Sequence, residues 1–431
     1  MNFINEINLS LILSILVICF CAILIIKGQY ALSLGIYCAL AYWTRSVNVF
    51  GISHTWVFLA TIILALLTTL LRGQFKVAIP TKGRWIILWS LFWWVWMLSL
   101  LVVRNPPVVI NFYRSLILYI MIPLPIIVLF FNGPSKVKAF AMGFVATTLI
   151  SGPVALFVIG ISVSDLLLDP SLRSLGIIRL SIINYHWFSY SQVIAIILLL
   201  VISLYQKKLI IRIFCYLGVL VCGYFLLLIG SRQSIGAGVI SIIILLILSM
   251  KFSTKKILPA FLLILCILGF GYYFLNNNLD LVLRPARGEE GLFDIFQLVK
   301  ERGPYWEQGV RQFLQNPIFG AGYASDTNAH NLFIGVLADQ GLVGMFFLFG
   351  FIFFFIQQGL RIRFRGDKQK FFWSIGILSI GIFGFIHGQA SGTPISLWHV
   401  WWSAAMVWIL NSNFHTLNGK TNLIVSNNEQ A

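Results

Sequence analysis

Residues 213–250 read IFCYLGVLVCGYFLLLIGSRQSIGAGVISIIILLILSM. Two apolar runs, 213–230 and 234–250, are separated only by the short polar turn 231–233. Each run is close to the roughly 20 apolar residues that a helix needs to cross a bilayer. Because unpaired backbone groups are costly in lipid, such runs form helices. The stretch therefore predicts two membrane-spanning helices joined by a tight turn.

The rest of the chain has the same character. Of its 431 residues, 59% are hydrophobic and 10% are charged, and its mean hydropathy is +0.92. A soluble protein carries about 25% charged residues, so this composition excludes a soluble enzyme, a disordered protein and a small secreted domain held by disulfides. Further apolar runs lie at 8–26, 30–43, 55–71, 85–103, 115–131, 139–163, 188–205, 257–275, 341–360, 371–386 and 395–410.

These runs predict an all-α, polytopic transmembrane helix bundle of about 12 spans with one long outer loop that contains short helices. In this interpretation residues 1–275 form about ten spans and 276–331 form the outer loop. Residues 332–411 form the C-terminal transmembrane helices, and 412–431 form a cytoplasmic tail.

The net charge of +17 does not indicate nucleic acid, because the basic residues cluster in short gaps between apolar runs. Such clusters mark the cytoplasmic side of an inner membrane. We therefore expect a multi-pass protein of the bacterial inner (cytoplasmic) membrane whose loop 276–331 faces the periplasm. The clusters are Arg72, Lys76, Lys82 and Arg84; Lys136 and Lys138; Lys207, Lys208 and Arg212; Lys251, Lys255 and Lys256; and Arg361, Arg363, Arg365, Lys368 and Lys370.

The loop 276–331 is the only sizeable hydrophilic region of the chain. Its pattern predicts a helix from about Leu292 to Leu314, interrupted at Gly303-Pro304 and ended by Asn316-Pro317, because proline cannot continue a helix. A glycine-rich turn, 318–323, follows. Its glycines permit backbone conformations that other residues resist, which would let a lipid headgroup or a sugar approach closely.

Three polar side chains are candidates for chemistry. Arg232 lies between two apolar runs with almost no loop, and an arginine so near the hydrocarbon is costly unless it faces a polar cavity or an anion. Arg302 and His330 lie in the outer loop. Arginine favours planar, bidentate binding of phosphate, and histidine is suited to general-base work. The alternatives are an interfacial anchor for Arg232, an ion pair with a glutamate for Arg302, and a surface position for His330.

In order and spacing, about forty residues resemble the signature region of the O-antigen ligase and Wzy-type O-antigen polymerase superfamily. That family has an upstream Ser-Arg element, an Arg followed by a Trp, an Asn-Pro-apolar-apolar-Gly-x-Gly turn, a His-Asn pair and a helix that begins near Gly-x-x-Gly. The matching residues are Gly230-Ser231-Arg232, Arg302, Trp306, Asn316-Pro317-Ile318-Phe319-Gly320-Ala321-Gly322, His330-Asn331 and Gly341-Leu342-Val343-Gly344.

The resemblance implies a GT-C-like membrane glycosyltransferase that moves a glycan from undecaprenyl pyrophosphate to an acceptor hydroxyl, with inversion at the anomeric carbon. It implies catalytic roles for Arg232 and Arg302, which would neutralise the pyrophosphate, and for His330, which would be the base. No metal or cofactor is expected, since the sequence has no metal-ligand cluster and its six cysteines lie in apolar runs. The residues expected to bind substrate are Asn331, Trp306, Gly320, Gly322, Tyr323, Arg173 and Arg179.

Three functions remain open. The first is an O-antigen ligase, whose acceptor is the lipid A core. The second is a Wzy-type polymerase, whose acceptor is another lipid-linked glycan. The third, a polysaccharide transporter or flippase, is disfavoured because transporters tend to have internal repeats and charges in broken helices at the midplane, and neither is evident in this sequence. The expected partners are the lipid-linked donor, the acceptor and the bilayer.

Overall fold

The computed structural model describes residues 16, 18–43, 48–49, 52–53, 63–64, 67–68, 71, 84–103, 131, 133–159, 185–229, 231–277, 295–322, 329, 331–361, 368–391 and 398–411. This part of the chain is helical apart from turns and one short antiparallel pair of strands, β1 (Asn48–Val49) and β2 (Ile52–Ser53). The helices are α1 (Tyr30–Trp43), α2 (Arg84–Val103), α3 (Pro134–Ile159), α4 (Tyr185–Tyr205), α5 (Leu209–Ile229), α6 (Arg232–Asn277), α7 (Ile295–Gln315), α8 (Leu332–Arg361), α9 (Lys368–Ser391) and α10 (Trp398–Asn411).

The chain is a polytopic helical membrane protein. Within the described residues, 6 helical segments are long and apolar enough to cross a bilayer, and shorter apolar helices accompany them. The predicted total of about 12 spans remains a prediction, because several of the apolar runs lie outside the described residues. The six segments are Pro134–Val154, Phe188–Tyr205, Leu209–Leu227, Gln233–Met250, Leu332–Arg361 and Lys368–Gln389.

Helix α4 lies at the centre of the bundle and is buried along nearly its whole described length. It is apolar on all sides except at its first turns, as a helix enclosed by other helices should be. Glycines on three neighbouring helices allow close approach to it, which is typical of packing in membranes. These glycines and the α4 side chains that they face are Gly218 with Leu199, Gly238 with Val193, and Gly376 with Val201.

The bundle has two chemically different ends. We define the site end as the end where α4, α6 and α8 begin and α9 ends. Hydrogen bonds there join α4 to α6 and α8 to α9. At the opposite, basic end, Ser374 near the start of α9 donates to the Gly359 carbonyl near the end of α8, at 3.1 Å. The predicted cytoplasmic residues that lie at the basic end are Lys207, Lys208, Arg361, Lys368 and Lys370.

Helix α6 differs from the prediction. The sequence predicted separate helices over 234–250 and 257–275, whereas the structure has one continuous helix of 46 residues. The predicted break is wrong because the intervening segment 251–256, KFSTKK, contains neither glycine nor proline and so has nothing that ends a helix. At 1.5 Å per residue the helix is about 69 Å long, more than twice the hydrocarbon thickness of about 30 Å.

Helices α7 and α8 also correct the predicted boundaries. The predicted interruption at Gly303-Pro304 is wrong, since α7 runs continuously from Ile295 to Gln315 with Pro304 inside it. Its predicted end before Asn316-Pro317 is confirmed. Helix α8 begins at Leu332, where Asn331 caps it, and it is broken at Gly341, where its second half begins near the predicted helix start.

Candidate functional site

Helix α8 is broken at Gly341, whose backbone angles, φ 65° and ψ −160°, are not helical. In an unbroken helix, the carbonyls of Ala338 and Asp339 would accept hydrogen bonds from the amides four residues later. Here they accept instead from the amides of Ala321 and Gly322, at 2.7 and 2.9 Å. The amides of the glycine-rich turn therefore take the place of the helical amides that these two carbonyls lose at the break.

The amides on the other side of the break are satisfied in the same way. The N–H of Leu342 donates to the Pro317 carbonyl at 2.9 Å, and the N–H of Val343 donates to the Ile318 carbonyl at 3.2 Å. Residues 316–322, hereafter the interlocked turn, thus exchange backbone hydrogen bonds with both halves of α8. Since buried backbone groups need partners, the broken helix and the interlocked turn depend on each other.

This arrangement gives Gly320 and Gly322 a structural function. Both have positive φ, 73° and 78°, which favours glycine. A Cβ on Gly320 would stand 2.4 Å from the backbone nitrogen of Gln340. The backbone of α8 therefore occupies the space that the absence of a side chain at Gly320 leaves open. The predicted contact of the two glycines with substrate remains a proposal.

Helix α2 supports the break from the side. The Trp93 indole N–H donates to the side-chain oxygen Oε1 of Gln340 at 2.7 Å, and both side chains are buried. One turn further along α2, the Trp96 ring packs on the Phe319 ring of the interlocked turn, with centroids 5.7 Å apart. The position of α8 is thus tied to that of α2 beside the break.

Asn331 uses both ends of its amide. Its Oδ1 accepts the backbone N–H groups of Phe333 and Ile334, at 3.0 and 3.1 Å, so it caps the N-terminus of α8. Its Nδ2 donates to the carbonyl of Gln389 near the end of α9, at 3.0 Å. Asn331 therefore holds the start of α8 against the end of α9, and its predicted contact with substrate remains a proposal.

Helix α7 carries Arg302 and Trp306 one turn apart, on the same face. Both side chains are half-buried, and the indole nitrogen of Trp306 is shielded from solvent without a hydrogen-bond partner in the described part of the chain. Gly309 places α7 against α8, since a Cβ there would stand 2.6 Å from the side chain of Ile334. Arg302 and Trp306 thus lie on a helix that packs on the first turns of α8.

A glutamate of α7, Glu307, pairs with an arginine of the same helix. Glu307 Oε1 accepts from Arg311 Nη2 at 2.6 Å, in an exposed pair one turn apart on α7. Such exposed pairs contribute little to stability, about 0–1 kcal/mol.

Arg232 is the first residue of α6, and its backbone lies at the site end. The side chains around it form a buried serine cluster. Ser231 donates to Ser234 at 3.0 Å, and Ser234 shares a hydrogen bond of 2.7 Å with Ser189 of α4. The carbonyl of Ser231 also accepts the N–H of Ile235, so it starts the helix. The Arg232 side chain lies outside the described residues.

Other predicted site residues also lie outside the described residues: His330, Tyr323, Arg173 and Arg179. The neighbours of His330 in the chain, Ala329 and Asn331, are described, and Ala329 is buried. Among the described residues, no three His, Cys, Asp or Glu side chains group closely enough to hold a metal ion. Metal-independent catalysis remains a prediction.

Sequence reasoning missed Tyr190, whose hydroxyl lies 2.5 Å from Nδ1 of His387 at the site end. His387 and His399 are both fully buried. The available signal was the polar run 189–192, Ser-Tyr-Ser-Gln, near the start of an otherwise apolar helix.

Comparison with known proteins supports the family resemblance. A family model described as "O-Antigen ligase" matches residues 217–349, which contain the Ser231-Arg232 turn, α7, the interlocked turn and the first half of α8. No curated protein sequence gives a significant match. Residues 217–349 of this chain are therefore similar to the O-antigen ligase family, the family that the sequence motifs resemble.

Proposed function

We propose that this protein is an O-antigen ligase, which transfers a glycan from undecaprenyl pyrophosphate to the lipid A core at the periplasmic face of the bacterial inner membrane. One observation carries the proposal. The matched segment 217–349 contains Arg232, Arg302 and His330, and the described residues next to them lie at or pack toward one end of the bundle.

The proposed reaction is a single displacement. The acceptor hydroxyl oxygen attacks the anomeric carbon, and the bond from that carbon to the phosphate oxygen breaks. The hydroxyl proton passes to His330, and undecaprenyl pyrophosphate leaves with the electron pair. One displacement at one carbon inverts its configuration, so an inverting enzyme follows from this scheme.

In this scheme the arginines stabilise the leaving group. Pyrophosphate carries negative charge, which increases as the glycosidic bond breaks, and fixed cations that meet it lower the barrier. Arginine can bind two phosphate oxygens with its planar fork. Arg232 at the start of α6 and Arg302 on α7 are assigned this role, with Arg173 and Arg179 as secondary contacts. Trp306 is also assigned to the donor, and its indole N–H has no hydrogen-bond partner among the described residues.

The experiment that tests the proposal offers two acceptors to the purified protein in nanodiscs, together with an undecaprenyl-pyrophosphate-linked glycan. Glycosylated lipid A core would support the ligase. Extension of the lipid-linked glycan instead would identify a Wzy-type polymerase, and no transfer to either acceptor would contradict both. The same assay in excess chelator tests metal independence, because transfer that is lost and then restored by magnesium or manganese would contradict it.

A further inference from the structure

Tyr190 of α4 is enclosed by rings from two other helices at the site end. Its hydroxyl lies 2.5 Å from Nδ1 of His387, and its ring meets that imidazole edge-on, with centroids 4.3 Å apart. The Phe383 ring of α9 lies 5.6 Å away, and the His399 ring of α10 lies 5.5 Å away. All four side chains are buried. Tyr190 therefore joins α4, α9 and α10 at one point.

The residue before Tyr190 makes a second connection. Ser189 is fully buried, and its hydroxyl lies 2.7 Å from that of Ser234 in the first turn of α6. Ser234 in turn accepts from Ser231, the residue before Arg232. Two successive residues of α4 thus connect to different elements, one to the turn that carries Arg232 and the other to the end of α9.

The end of α9 continues this connection to the start of α8. Gln389 follows His387 by two residues, and its carbonyl accepts from the Asn331 side chain at 3.0 Å. Asn331 caps α8 and directly follows His330 in the sequence. A continuous path therefore links Ser231, next to Arg232, to Asn331, next to His330. It consists of hydrogen bonds and a short segment of α9, and α4 lies in its middle.

We propose that Tyr190 and His387 are positioning residues, which fix the distance between the Arg232 element and the His330 element. The inference rests on the proposed function, which assigns the leaving group to one element and the base to the other. A displacement needs both at the same anomeric carbon, and a misplacement of about 1 Å can reduce the rate by about 10²-fold. Neither Tyr190 nor His387 is proposed to touch the substrate.

The test is Tyr190→Phe, which keeps the ring and removes only the hydroxyl. Tyr205→Phe is the matched control, because Tyr205 is on the same helix and packs on Trp373 of α9 at the basic end, with ring centroids 5.8 Å apart. Tyr190→Phe should lower kcat by roughly tenfold or more and leave the donor KM nearly unchanged. Tyr205→Phe should change neither.

A second measurement does not depend on activity. Hydrogen–deuterium exchange at the amides of Phe333 and Ile334, which Asn331 caps, reports whether the start of α8 is held. Tyr190→Phe should speed exchange there by about fivefold, the effect of losing one net hydrogen bond, and Tyr205→Phe should not. His387→Asn, which keeps a hydrogen-bonding group near Nδ1, should retain more activity than His387→Leu.

The outcomes separate this inference from the proposed function. Unchanged exchange in Tyr190→Phe, or faster exchange with a normal kcat, would overturn the positioning role even if the wild-type protein transfers glycan. If the wild-type protein transfers nothing to either acceptor, the proposed function fails. The exchange measurement then still decides whether Tyr190 holds the start of α8.

Discussion

Gly341 and Gly320 lie against each other, because a Cβ built on Gly341 would stand 2.6 Å from the backbone nitrogen of Gly320. Neither position leaves space for a side chain, and both have φ near +70°, at 65° and 73°. The contact is between the backbone of the broken helix α8 and that of the interlocked turn. It brings the Asn-Pro-turn motif and the Gly-x-x-Gly motif, which residues 323–340 separate in the sequence, into one structural unit.

The first prediction concerns this contact. Gly341→Ala should destabilise the protein by about 1–3 kcal/mol, because its φ of 65° with ψ of −160° is a conformation essentially restricted to glycine, and by more because the Cβ meets backbone atoms. Gly335→Ala is the control, since Gly335 is in the same helix with nothing within 4 Å of its Cβ position. It should change stability by less than about 1 kcal/mol. Thermal unfolding in detergent measures the stability of both variants. Equal unfolding temperatures would contradict the close contact between Gly341 and the interlocked turn.

The second prediction concerns the contact between α2 and α8. Trp93→Phe removes the donor to Gln340 and leaves a buried amide oxygen without it, which costs about 1–3 kcal/mol. Trp94→Phe is a matched control. Trp94 is equally buried and also packs on Trp401, but its indole N–H has no hydrogen-bond partner among the described residues. Unfolding by heat or denaturant should show the larger loss for Trp93→Phe, and a larger loss for Trp94→Phe would contradict the assignment.

The sequence predicted those features of the fold that depend on residues close together in the chain. The apolar runs around α4, α5 and α9 predict helices because lipid leaves the backbone no other solution. The Asn316-Pro317 pair predicted the end of α7 because proline cannot continue a helix. The order of the motifs also predicted the resemblance to the O-antigen ligase family, and a family model that matches residues 217–349 supports it.

The remaining features depend on contacts between distant residues. Gly341 breaks α8 because residues 316–322 supply the missing hydrogen bonds, and no pattern within α8 reveals them. Asn331 resembled a binding residue next to a histidine; its capping bonds are local, but its bond to Gln389 forms only when α9 is in place. The Tyr190–His387 pair is separated by 197 residues. Sequence alone gives no reason to bring them together.

A third prediction separates the two functions considered for Asn331. Asn331→Ser keeps an oxygen that can cap the amides of Phe333 and Ile334 but lacks the donor to Gln389, whereas Asn331→Ala loses both contacts. Alanine should therefore cost about 0.5–2 kcal/mol more than serine, measured by thermal unfolding. If instead both variants unfold like the wild type and bind donor more weakly, Asn331 contacts substrate and its capping role is minor.

The fourth prediction concerns orientation. Gln308 is exposed on α7 near the site end, and Gln369 is exposed at the start of α9 at the basic end. In a background without the six native cysteines, Gln308→Cys should react with an impermeant thiol reagent in intact spheroplasts. Gln369→Cys should react only after lysis. The reverse pattern would place the site end in the cytoplasm and contradict the proposed periplasmic transfer.

The last prediction separates the roles of Arg232, Arg302 and His330. Lysine keeps the charge of arginine but loses its planar fork, so Arg232→Lys and Arg302→Lys should both weaken donor binding and slow transfer. Arg311→Lys is the control on the same helix, since Arg311 is exposed and paired with Glu307. It should behave like the wild type.

His330→Ala should keep donor binding and lose roughly 10²–10⁴-fold in rate, because a base acts on the acceptor proton and not on the pyrophosphate. Donor affinity and single-turnover transfer in nanodiscs measure the two effects separately. Near-normal transfer by His330→Ala would show that His330 is not the base. Normal transfer by both lysine variants would reduce the arginines to interfacial charges, and the leaving group would then need another source of stabilisation.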